Sequence, residues 1–509
     1  MLAVLNSPEL VFGICSPVGT DNTKVTNMIK SRLHAFGYMP HAYKVTDMMK
    51  QIKIKGETLV DSPLIKRYDS HINYANKMRE LYEDDGVLAT LCPLVIRQER
   101  KAKGVAEDSY VKKTAYIFDQ FKRPEEIKDL RQIYGRLFIL VSIYSDKDKR
   151  AKRLAERIAM DDGYGRPNSE HFSMARGLIA KDEEEEEVSS GQRMRETFSL
   201  GDVFINIDNE YEAENILRRF FMALFGSNKI SPSRDEYGMY MAKSASLRSA
   251  DLSRQVGAAV FHKSGEILAL GANEVPKAGG GTYWEGDKGD FRDFVLGRDE
   301  NDRIKRSLVA DIIKRLIKGG HLNGVKVDEI SPFIEKNISD GSGYIKSSLI
   351  MDIIEFGRII HAEMSAISDA ARLGISIKGA TLYCTTFPCH ICAKHIVSTG
   401  IDRVLFIEPY PKSYAEQLHE DSISIGGGAM SDKVVFSPFI GISPYRYREL
   451  FERGKRKNKD GILKEWINGS PMPNIPYVIA TFLANEQAAG RKFSEKTAKL
   501  ESDGKIKIS

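Results

Sequence analysis

The residues best able to do chemistry in this chain are His361, Glu363, Cys389 and Cys392. They stand as His361-Ala362-Glu363 and Pro388-Cys389-His390-Ile391-Cys392. One imidazole and two thiolates are three of the four ligands that tetrahedral zinc prefers, and a catalytic zinc keeps the fourth position for water. Zinc lowers the pKa of a water it holds towards neutrality. Glu363 suits a proton shuttle better than a ligand, because its carboxylate can accept a water proton and return it to a leaving amine. Pro388 fits the first turn of a helix, where its missing N–H is no loss. Ala393 to Val397 can continue that helix. Ile359 and Ile360 before His361, and Ala366, Ile367, Ala370, Ala371 and Leu373 after it, have helical spacing. His361 and Glu363 are therefore expected near a helix N-terminus.

Blander readings exist for each part. A C-x2-C pair alone also serves as a structural zinc knuckle or a redox pair, and a lone helical histidine is usually a core residue. With a single such pair, a four-cysteine site is disfavoured. The two halves together match the zinc deaminase signature, H-x-E with P-C-x-x-C, whose chemistry removes an amino group from a pyrimidine or purine ring. One Zn2+ per chain is the expected cofactor. His390, inside the C-x2-C loop, and His395, one turn beyond it, are not expected to be ligands.

The elements that must position these residues read as α/β. Gln255–Phe261 and Ile267–Gly271 form two strands joined by a turn over 262–266. Ala380–Thr386 is a strand that delivers the chain to the cysteine pair, and Arg403–Ile407 is the next. The result is an α/β/α layer with the metal between two helix starts. Further upstream, residues 9–17 read as a buried strand running into a loop, followed by a helix carrying Val25, Met28, Ile29 and Leu33. Strands at 115–119, 136–144 and 203–207, with a helix over Pro124–Tyr134 between the first two, imply a parallel sheet. Strand, glycine-containing turn and helix form the start of a phosphate-binding unit, which would use Gly13, Ser16, Gly19 and Thr20. The loop departs from G-x4-G-K-[ST]. Gly13 and Gly19 are one residue too far apart, and Thr20 stands where lysine belongs. An α/β turn that binds nothing is an equal reading.

The expected domains are 1–226, 227–430 with an insertion at 284–350, and a helical, basic extension over 431–509 whose last ten or so residues are disordered. The acidic run Asp182–Glu187 reads as a solvated face or mobile loop. The chain has 509 residues, enough for two to four domains. Net charge is +5 with no long basic tract, which argues against a dedicated nucleic-acid surface. Five cysteines, two of them assigned to metal, do not suggest a disulfide framework. No apolar run approaches a membrane span, and a cytoplasmic location is expected.

Residues 238–425 resemble the cytidine and deoxycytidylate deaminase superfamily. The resemblance is carried by Gln255-Val256-Gly257-Ala258, Gly271-Ala272-Asn273, the two metal motifs with Thr385-Thr386-Phe387 before the second, and Gly400-Ile401-Asp402-Arg403-Val404. It implies that Asn273 hydrogen-bonds the nucleotide, although a turn residue after a strand is the alternative. Residues 8–226 resemble small P-loop nucleoside and nucleotide kinases in layout. A P-loop kinase-like domain fused to a deoxycytidylate-type deaminase is similar to bacterial anti-phage dCTP deaminases. Leu247–Gln255 and Ile407–Ser413 add to that likeness. The resemblance implies deamination of dCTP, with dCMP as a further substrate, in a homo-oligomer held inactive by an inhibitory RNA or another host regulator. Arg248, Arg254 and Lys412 are candidates to meet substrate phosphates, against the alternative of ordinary surface charges. Two other functions compete: deamination of tRNA or single-stranded DNA bases, and a nucleotide-responsive regulator working through the phosphate-loop domain.

Overall fold

The computed structural model describes residues 7–184, 191–322, 324–339, 344–346, 348–410, 413–426, 432–475 and 479–508. Lys412 and residues 185–187 of the acidic run lie outside them. The chain divides into two compact units, one of 1–236 with 439–509 and one of 237–438. Among the described residues, no helix is long and apolar enough to cross a membrane.

The first unit contains strands β1 (Leu10–Cys15), β2 (Met39–Lys44), β3 (Ile52–Ile54), β4 (Thr114–Asp119), β5 (Phe138–Tyr144) and β6 (Val203–Asn206). The second contains β7 (Gly257–Phe261), β8 (Ile267–Ala272), β9 (Thr381–Thr386), β10 (Arg403–Glu408), β11 (Ile423–Ile425) and β12 (Val434–Pro438). The tail returns β13 (Gly441–Ile442) and β14 (Ile506–Ile508) to the first unit.

In the first unit, β2, β4, β1, β5 and β6 pair in that order, all parallel, and β13 joins β6 antiparallel. β1 is buried along its whole length, which is why its sequence is a continuous apolar run rather than an alternating one. The chain leaves it through the loop Ser16–Asp21 and enters the helix Asn22–Ala35. The Asp21 side chain caps that helix by accepting from Lys24 N at 3.2 Å. β2 escaped the sequence reading because none of its residues MPHAYK is buried and they lack an apolar run.

The tail corrects an expectation. Its last residues form the helix Ile479–Ser502 and strand β14, which pairs antiparallel with β3. Phe482 and Leu483 are buried, and Glu486 pairs with the buried Arg100, which also holds Glu9. Pairing of β14 with β3 and burial of Leu500 and Ile506 therefore order the last residues, which as a chain end were expected to be disordered.

In the second unit the sheet order is β8-β7-β9-β10-β12-β11. β7 runs antiparallel to β8 and β9, whereas β9, β10, β12 and β11 are mutually parallel. The helix Ala362–Arg372 lies on this sheet with Ala362, Ala366 and Ala370 buried, a row of small side chains four residues apart. Gly271 of β8 completes the close approach. A β-carbon there would stand 2.0 Å from the Ala362 carbonyl oxygen and 2.6 Å from the Ala366 nitrogen. The helix Glu300–Lys318 of the insertion was expected from its apolar spacing. Its Val309 and Ile313 pack with Ile330, Ile334 and Ile338 in a separate small core. Lys305 and Asn301 donate to the carbonyls of Met351 and Ile353, tying the insertion to the segment that leads into His361.

Candidate metal centre and a second cleft

His361 is the N-cap of the helix Ala362–Arg372, and Cys389 is the N-cap of the helix His390–Ser398. Pro388 therefore precedes the cap rather than sitting in the first turn. Both helices direct their positive N-terminal ends towards the same place, which favours anionic sulfur there. His361 Nδ1 lies 3.2 Å from Cys389 Sγ and 3.3 Å from Cys392 Sγ. Tetrahedral zinc with ordinary Zn–N and Zn–S bonds sets nitrogen and sulfur about 3.6 Å apart, so the imidazole needs to draw back from the two sulfurs by only a few tenths of an ångström. These three form the metal-capable cluster found among the described residues, and the donor set fits zinc.

The electrostatics suit that role. The Cys389 thiol is pulled down to about 4 by the Cys392 hydrogen bond and by His361, against the opposing effect of burial. The Cys392 thiol is pushed up by that same hydrogen bond and by burial. Burial opposes protonation of His361, but Cys389, Glu363 and Asp251 together outweigh it and raise the imidazole. Glu363 is buried beneath the cluster, 3.5 Å from Cys392 Sγ, and burial pushes its carboxyl upward. Its place beside the ligand set suits this carboxyl to carrying protons. His390 points away from the ligand set, with its Nε2 3.3 Å from Glu355.

Asn273 is buried at the end of β8. Its Oδ1 accepts from Val256 N at 2.7 Å, and its Nδ2 donates to Asp251 and to the Arg254 carbonyl at 2.8 and 2.9 Å. It braces the 251–256 loop, and Asp251 of that loop is near enough to act on the charge of His361. Arg254 is half-exposed, pairs with Glu408 at 3.1 Å and lies against the Tyr410 ring. Arg248 stacks over Trp284 at 3.6 Å and donates to the carbonyls of Thr282 and Tyr283.

In the first unit, a cavity of about 560 Å³ lies along the Ser16–Thr23 segment. Gly13 is inside β1 rather than in this loop. Its missing side chain leaves room for Phe121 and Phe138, which a β-carbon would meet at 2.9 and 2.8 Å. Ser16 Oγ donates to Asn22 Oδ1, and Thr20 Oγ1 donates to the Pro17 carbonyl, each at 2.7 Å. Gly19 has φ +86° and packs against Arg150 and Leu154.

The sequence reading missed three residues here. Lys122 Nζ donates to the Ser16 carbonyl at 3.0 Å and to Asp182 at 2.8 Å, and the other Asp182 oxygen accepts from Val18 N at 2.8 Å. Asp182 is buried, although it opens a run read as solvated. His71 lines the same cavity from the helix Leu64–Tyr82. No local signal marks any of the three.

Residues 232–408 match the family of the cytidine and deoxycytidylate deaminase zinc-binding region. The deoxycytidylate deaminase of Enterobacteria phage T2 is 52% identical over 54 residues, 11% of this chain and 29% of that protein. ComE operon protein 2 of Bacillus subtilis strain 168 is 34% identical over 120 residues, 23% of this chain and 56% of that protein. The chain thus spans 29% and 56% of the lengths of these two relatives. The solved dCMP deaminase of cyanophage S-TIM5, in complex with dCMP and dUMP, aligns over 41% of this chain and 98% of its own, at 20% identity and a TM-score of 0.23. The matched residues 232–408 contain His361, Cys389 and Cys392, so the similarity to the cytidine and deoxycytidylate deaminase zinc-binding region falls on the metal-capable cluster.

Proposed function

We propose that the second unit hydrolyses a deoxycytidine nucleotide, dCTP or dCMP, to the deoxyuridine nucleotide and ammonia. The observation that carries this is the buried Glu363 beneath a three-donor cluster at two converging helix starts. Zinc held by His361 Nδ1 and the sulfurs of Cys389 and Cys392 would supply Lewis-acid activation of water at C4 of the base. Glu363 takes a proton from the attacking water and passes it towards the departing amine, so that one water is consumed and one ammonia released. Asn273 and the loop it braces shape the approach to the cluster. Arg254 and Lys412 are the cations assigned to substrate phosphate, while Arg248 positions the 282–284 segment. Incubating the protein with dCTP, dCMP, dCDP, cytidine, tRNA and single-stranded DNA, and identifying products by mass, tests this. Uracil formed in dCTP or dCMP supports the reading; deamination confined to tRNA or single-stranded DNA sinks it. With dCTP as substrate, the reaction would drain a DNA precursor, and restriction of phage growth is the proposed consequence. Plaque counts should then rise to the level of an empty strain when Glu363→Ala replaces the native chain.

A second reading concerns the first unit, which we assign as a P-loop kinase-like nucleotide-binding domain that does not turn its ligand over. The strand order changes direction at β1, and crevices beyond the carboxyl ends of parallel strands at such a point are where α/β sheets take ligands. The cavity there is lined by Lys44, Arg67, Lys122, Arg153 and Arg157. Thr20 in the lysine position argues against phosphoryl transfer. Rapid ATP hydrolysis by the Glu363→Ala protein would refute that part.

A further inference from the structure

We propose that the first-unit cavity is a two-ended site. Lys122 supplies the phosphate-facing cation that the loop sequence lacks, and His71 supplies a hydrogen-bond acceptor for the nucleoside end of the ligand. This rests on the reading of the first unit as a nucleotide-binding domain. A phosphate loop normally carries its own lysine; here Thr20 occupies that place. Lys122 enters from the segment after β4 instead, with its ammonium on the Ser16 carbonyl of the same loop. An ammonium has three N–H bonds. Two are used, towards Ser16 and Asp182, and the third is available where the side chain lines the cavity. Asp182 lies behind Val18 and Lys122 and is a positioning residue: it fixes both the loop amide and the lysine.

His71 stands independently of that loop. It is 6% exposed and lines the same cavity. Its Nδ1 lies 2.7 Å from the Arg67 carbonyl, which can only accept, so the ring proton is on Nδ1. Its Nε2 is buried with no hydrogen-bond partner among the described residues, and in the neutral ring that atom is an acceptor. A buried acceptor without a donor is costly unless a ligand satisfies it. The ligand class that joins an anionic end to an N–H or O–H donor is a nucleoside phosphate, its amine or sugar hydroxyl meeting His71.

Isothermal titration calorimetry of the full chain tests this with inorganic tripolyphosphate and with ATP, dATP and GTP. Removing Lys122 alone would leave Asp182 buried and unpaired, so Lys122→Met is combined with Asp182→Asn. That pair should weaken tripolyphosphate and nucleotide alike by about tenfold or more, the worth of a charged hydrogen bond. His71→Phe should leave tripolyphosphate unchanged and weaken the best-bound nucleotide by about fivefold. If wild type binds nucleotide and both variants match it, the two-ended site is wrong while the binding domain stands. Equal losses of tripolyphosphate and nucleotide in His71→Phe would make His71 structural and also overturn the proposal. Wild type that binds none of the four probes overturns both readings. Should a variant fail to fold, hydrogen exchange on wild type decides: saturating nucleotide should slow exchange at 16–22 and at 67–75, and slowing confined to 16–22 refutes the His71 end.

Discussion

At the residue scale, the metal centre separates binding from proton movement. The three donors are His361, Cys389 and Cys392, and Glu363 is the buried acid beside them. Replacing Glu363 with Gln should lower the deamination rate by about a thousandfold, within the range of lost general acid–base catalysis. Zinc content measured by mass spectrometry should stay at the wild-type level. Cys389→Ser, in contrast, should lose metal and activity together, and equal zinc in that variant would remove Cys389 from the ligand set. A different acid gives a pH signature. Burial, then the neighbouring Asp84, raises the Asp129 carboxyl to about 6. A carboxyl raised in the folded state is favoured protonated. Its charge is therefore a destabilising feature, fully present above pH 6, fading as pH falls towards the ordinary carboxylate range. Asp129→Asn should raise the melting temperature at pH 7 and make no difference near pH 4; an equal gain at both pH values would contradict the assignment.

At the scale of elements, the site depends on how closely one helix approaches the sheet. The row Ala362, Ala366 and Ala370 was visible in the sequence as helical spacing. What it packs against was not, because Gly271 is distant in the chain and looked like part of a hairpin motif. Gly271→Ala forces the Ala362 carbonyl to give way and should destabilise the second unit by about 1–3 kcal/mol. Activity should fall with it, because His361 and Glu363 ride on that helix. Thermal unfolding read alongside deamination checks both; an unchanged melting temperature would show the helix to be mobile enough to absorb the methyl group. The strands of the parallel sheet were largely legible from their apolar runs. β2 and β3 were not, since neither carries a long buried stretch.

At the scale of the whole molecule, the first unit is built from both ends of the sequence. Glu486 from the tail and Glu9 from before β1 hold Arg100 between them, all three almost without exposure. Breaking a buried ion cluster by removing one partner typically costs about 3–5 kcal/mol. Glu486→Ala should therefore destabilise the first unit by that order in denaturant melts. Removing 479–509 should leave a chain that proteases cut readily within 1–236. A truncated chain as resistant as the full one would show the tail to be an appendage after all.

The metal motifs were legible because their geometry is local. His361 and Glu363 share one helix turn, Cys389 and Cys392 share another, and each helix start is encoded within a few residues. Fold class followed from apolar periodicity for the same reason. What only the tertiary structure decided lies between distant segments. It placed Lys122 and Asp182 behind the loop where lysine is missing, and turned His71 towards the same cavity. It removed Gly13 from that loop and ordered the chain end that was expected to be disordered. Spacing along the chain reports which residues a single element can bring together; burial and pairing across the chain require the fold itself.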